Sequence, residues 1–144
     1  MQKIFIITLI SIFLTFQAKA EPLTKEMLEK VFTSYGMIIQ AQQIYKKCNY
    51  LSSEEIKKLN TDISIITKGL ELEIPRSTIY LVLKRDVETS QYLEEITSIV
   101  TNRVKTHHSY KCSRKMLETL NIAKENARVW SQVILKTWNN DTVG

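Results

Sequence analysis

The chain has 144 residues, a formal net charge of +5, and only three glycines, two prolines and two cysteines. That composition excludes a collagen-like or low-complexity chain, a disulfide-dense mini-scaffold and a glycine-rich phosphate loop. Plentiful Lys, Glu, Leu and Ile point instead to helices.

Residues 1–20 read as a secretory leader. Lys3 supplies the positive start, Ile4 to Phe16 is an unbroken apolar or hydroxylic run, and Ala18-Lys19-Ala20 is a small-x-small cleavage site. The run is shorter than the roughly 20 apolar residues of a membrane-spanning helix. Cleavage would leave a mature chain starting at Glu21, with one domain over 21–138 and a loose tail over 139–144. Loss of Lys3 and Lys19 lowers the net charge from +5 to +3. Two cysteines in an exported chain predict a bridge between Cys48 and Cys112. The loop it closes is about 65 residues long, worth roughly 4 kcal/mol on the chain-entropy account.

The first mature helix is expected from Thr24 to Lys47. Leu28, Val31, Tyr35, Ile38, Gln42 and Tyr45 alternate three and four apart, with Gln42 the one polar gap. Glu26 and Glu29 near its start, and Lys46 and Lys47 at its end, suit the helix dipole. Gly36 in its middle costs about 1 kcal/mol relative to alanine. At the junction Lys46 to Ile56, Ser52 and Glu55 have capping-box spacing, and Leu51 and Ile56 fall where a hydrophobic staple would clasp.

The second helix starts at Ser53, and Ile56, Leu59, Ile63, Ile66 and Leu70 keep the helical step. Gly69 is the expected C-terminal cap, and Pro75 suits the first turn of the next helix. From Arg76 to Thr106 the step continues through Ile79, Leu83, Asp86, Ser90, Leu93, Thr97, Val100 and Val104. Its centre is polar. Unbroken, this third helix would be about 46 Å long against roughly 25 Å for the second, so it overhangs or bends near Arg85 to Ser90. Bringing Cys112 back to Cys48 favours a continuous or merely kinked third helix, because a full hairpin would leave the sulfurs at opposite ends. The fourth helix runs from Ser113 to Trp138 on Met116, Leu120, Ala123, Ala127, Trp130, Ile134 and Thr137. The expected fold is an all-α, antiparallel four-helix bundle packed at about 20°.

Few residues carry recognisable chemistry. His107 and His108 are adjacent, so on a helix they point about 100° apart and do not chelate. With the two cysteines they match no usual zinc spacing. No Cys-x-x-Cys motif or nucleophile–base pattern is present, and no cofactor is expected. The charge map is more informative. Lys46, Lys47, Arg103, Lys105, Lys111, Arg114 and Lys115 should gather at the disulfide end. Arg114 and Lys115 fall in the first turn of the fourth helix, where the dipole disfavours cations. That points to an acidic partner or an anionic surface. Trp130 lies on the core stripe; Trp138, near the tail, either packs over the bundle end or anchors a partner. A net charge of +3 on an exported chain argues against nucleic acid. The expected function is that of a non-catalytic helical interaction protein of the bacterial envelope, periplasmic or secreted. The alternatives are an accessory subunit of a secretion or pilus apparatus, and a small enzyme or inhibitor whose site forms only in three dimensions.

Overall fold

A computed structural model describes residues 23–107 and 111–142; the expected leader and cleavage site, His108 and the last two residues of the expected tail lie outside the described residues. Among the described residues the chain is helical, without strands. It forms α1 (Lys25–Cys48), α2 (Ser53–Glu73), α3 (Arg76–Leu83), α4 (Thr89–Thr106) and α5 (Arg114–Asp141).

The helix starts follow their local chemistry. The Thr24 hydroxyl accepts from the Met27 amide at 3.2 Å, and the Ser113 hydroxyl accepts from the Met116 amide at 3.2 Å. Both halves of the α2 capping box form: the Ser52 amide donates to Glu55 Oε2 at 2.9 Å, and the Glu55 amide donates to Ser52 Oγ at 3.2 Å. Those bonds hold the Glu55 carboxyl below its usual range. Leu51 and Ile56, the expected staple, are both partly buried against the core.

Three expectations need correction. The third helix is neither continuous nor kinked: it is two helices, α3 and α4, separated by the non-helical residues 84–88. Lys84 ends α3 in the left-handed region at φ 55°, and Glu88 opens α4 in a second capping box with Gln91. The gap is clamped by Arg76, which reaches Asp86 at 2.8 Å and Glu88 at 3.2 Å, and by a two-pronged Arg85–Glu95 pair. Being only eight residues long, α3 does not carry the chain to the opposite end, so the disulfide still closes. Gly69 does not cap α2. The helix continues to Glu73 because Leu70 and Ile74 are both needed in the core, at 1% and 2% exposure. Residues 139–141 are not loose tail but the last residues of α5.

The four long helices alternate in direction, yet the most extensive seams join parallel helices. Along α2/α5, Glu55 meets Lys124, Asp62 accepts from the Ser131 hydroxyl at 2.6 Å, and Gly69 abuts Ile134. Along α1/α4, the Phe32 and Tyr92 rings lie edge to face at 4.7 Å, and Gly36 faces Ile96 and Val100. Antiparallel hydrogen bonds run from α1, from Tyr35 to Thr67 and Gln42 to Asn60 on α2, and from Tyr45 to Asn121 on α5, and a smaller antiparallel contact joins α2 and α4. Helices α4 and α5 hardly touch. The pair α1 and α2 therefore lies between them, which explains why α1 buries Phe32, Ile39, Ala41 and Ile44 as well as its expected stripe.

Candidate functional site: the basic pole and a side groove

The disulfide pole is assembled from three chain segments. Cys48, the last residue of α1, bonds Cys112 in the link to α5, with α-carbons 5.6 Å apart across 64 residues of sequence. The Tyr50 hydroxyl donates to the Ser113 carbonyl at 3.1 Å, tying the α1–α2 link to the start of α5. Lys47 Nζ donates to the Val104 carbonyl at 3.3 Å, joining the ends of α1 and α4. That bond satisfies a carbonyl left over at a helix terminus.

These ties bring Lys46, Lys47, Lys105, Lys111, Arg114 and Lys115 to one end of the molecule, all exposed. Lys46 and Lys47 occupy the last turn of α1, and Arg103 and Lys105 the last turn of α4. Arg114 opens α5 in a first turn with no acidic residue. Its side chain is 95% exposed, and its Glu118 contact is long, at 3.9 Å. An exposed pair of this kind contributes little.

Two of the expected site residues lie elsewhere. Trp138 is 24 residues beyond Arg114 on the same helix, about 36 Å away. It is partly buried against the core at the opposite pole. Arg103 faces sideways, into a groove of about 370 Å³ between α1 and α4.

That groove was not visible in the helical stripes. Phe32, Gly36, Tyr92, Ile96 and Val100 line it, with Glu29 toward one end and Arg103 toward the other. Met37 and Ile99 also line it and are 50% and 57% exposed. Both sit one residue off the buried stripe, beside Ile38 and Val100. Apolar residues next to an already complete stripe were the available signal.

Beneath the basic pole lies a buried tyrosine. Tyr45 is 1% exposed, and its hydroxyl donates to Asn121 Oδ1 at 2.9 Å. Burial, with the Glu55 carboxylate adding to it, pushes the phenol up to about 12. Such a phenol stays protonated at neutral pH and acts as a structural donor. His107 is exposed at the end of α4, and no three His, Cys, Asp or Glu side chains among the described residues are grouped to hold a metal ion. No helix among them is long and apolar enough to cross a membrane. No protein-family model matches the chain, and neither a curated protein nor a solved structure shows significant similarity to it.

Proposed function

We propose that this is an exported, non-catalytic interaction protein of the bacterial envelope that engages an acidic partner through its disulfide-bridged basic pole. In this reading the four long helices are a bundle stapled at one end, α3 is a short spur on it, and the bundle presents charge rather than performing chemistry. The observation that carries it is Arg114 with Lys115: two exposed cations in the first turn of α5, against the dipole, with no acidic residue in that turn. Each such placement opposes the local helix by a few tenths of a kcal/mol, up to about 1. The long, exposed Arg114–Glu118 contact offsets little of that cost, whereas a carboxylate-rich partner would offset more. The disulfide supports the reading by holding Lys111, Arg114 and Lys115 beside the ends of α1 and α4.

A second reading, an accessory subunit of an envelope apparatus, is favoured by one further feature. Leu72, at the end of α2, and Tyr80 and Leu81, on α3, are 61%, 54% and 65% exposed. Leu72 lies at the far end of α2 from the disulfide, so a subunit could contact two neighbours at once.

The test is co-purification from the envelope fraction with wild-type protein and with Arg114→Glu/Lys115→Glu. The double reversal should release the partner while leaving the thermal midpoint within a few degrees. Retention of every partner would rule out the basic pole as the contact.

A further inference from the structure

The α1/α4 groove has opposite charges toward its two ends and a glycine near its middle, and we propose that it is a two-fold docking face for a second copy of this chain. This goes beyond the basic-pole reading, which concerns another surface.

The polarity of the groove carries the inference. Because α1 and α4 run parallel here, Phe32 and Tyr92 mark one end and Gln40 and Arg103 the other. Glu29 lies at the Phe32 end. A two-fold axis lying in the docking plane and crossing the middle of the groove exchanges its ends. It therefore brings Glu29 of one copy to the Arg103 end of the other, on the facing wall, twice over. A parallel overlay would instead juxtapose like charges. Glu29 has a local contact with Lys25 at 3.8 Å, but both side chains are more than half exposed, and that pair competes only weakly.

Steric fit agrees with charge. A Cβ on Gly36 would meet Ile96 at 3.6 Å and Val100 at 3.9 Å, both ordinary contacts. The α1/α4 packing thus does not require glycine, yet glycine costs the helix about 1 kcal/mol. What the missing side chain leaves open is the floor of the groove. Met37 and Ile99 stand beside that opening, half-exposed, and under the two-fold they become the knobs that enter the other copy's groove.

Eleven residue steps along each lining helix give a face about 16 Å long. That is the small end of specific interfaces, so the dimer dissociates in the micromolar range. Sedimentation equilibrium of the disulfide-bonded protein from about 1 to about 500 µM should show mass rising toward twice that of the chain. Ile99→Glu should weaken the dimer at least about 10-fold with the helical circular dichroism unchanged. Glu29→Arg alone, or Arg103→Glu alone, should weaken it about 5-fold, and the two together should restore it. Arg114→Glu/Lys115→Glu should leave it intact, which separates this inference from the basic-pole reading. A monomer at every concentration, an Ile99→Glu protein that dimerises normally, or a double charge swap that fails to restore would each overturn it.

Discussion

Gly36 lies on the α1/α4 seam and Gly69 on the α2/α5 seam, each inside a helix and each where two parallel helices approach. At Gly69 an added Cβ would come within 2.8 Å of Ile134 Cδ1 and 3.1 Å of its Cγ2. Ile134 is 2% exposed, so it can make room only by repacking inside the core. At Gly36 the nearest atom would be 3.6 Å away. One seam is closed onto its glycine; the other leaves its glycine facing a groove. The same residue is a packing requirement in one place and unused room in the other, and only the partner helix distinguishes them.

Four measurements would break or sharpen that contrast. The largest effect is expected at the pole both seams share, where the bridge ties the end of α1 to the link that opens α5. Replacing both cysteines by serine should cost roughly 4 kcal/mol in denaturant unfolding. A loss under about 1 kcal/mol would mean that packing alone holds the pole.

Next comes the alkaline limb of stability. The folded Tyr45 phenol lies near 12, above the unfolded value of about 10. As pH rises past 10 the unfolded chain ionises first, so stability present at neutral pH is lost between about pH 10 and 12. The loss reaches about 2–3 kcal/mol. Tyr45→Phe should flatten that limb relative to wild type, read as unfolding midpoints at stepped pH. An unchanged slope would place the phenol in water rather than in the α1/α5 contact.

Gly69→Ala comes third. It gains about 1 kcal/mol of helix propensity but overpacks against Ile134 by about 1–3 kcal/mol. A net loss of about 1 kcal/mol is expected, and pairing it with Ile134→Val should recover part of it. If Gly69→Ala stabilised the protein, the α2/α5 seam would have more slack than described. Gly36→Ala is the smallest change and has the opposite sign: a gain of about 0.5–1 kcal/mol. The difference between the two glycine variants tests the comparison directly, since propensity cancels between them.

Much of the helical layout was legible from spacing. Leu28, Val31, Tyr35, Ile38 and Tyr45 are buried as their three-four step implies, and Ser52 with Glu55 marks the start of α2. The break at 84–88 was half legible. Asp86 and Ser90 are polar in the middle of a stripe, but the helical phase runs through the gap, and spacing alone reads that as one helix. What stops it is the left-handed Lys84 with the Arg76 and Arg85 ion pairs, contacts ten or more residues long. Gly69 was misread as a cap because glycine after an apolar stripe has that local meaning, while Ile134 lies on another helix. The basic pole was legible as a charge list, except that Lys47 is bonded to a helix end and Arg103 faces the groove.

The chain alone therefore determined where every long helix but α4 starts, which face of each is apolar, and which two sulfurs are available to join. These are properties of neighbours within one or two turns. The tertiary structure decided that α1 and α2 lie between the other two long helices, that the broadest seams run parallel, and that one glycine is clamped while the other is open. Those outcomes depend on how side-chain volumes remote in sequence fit against one another, and no single helix carries that information.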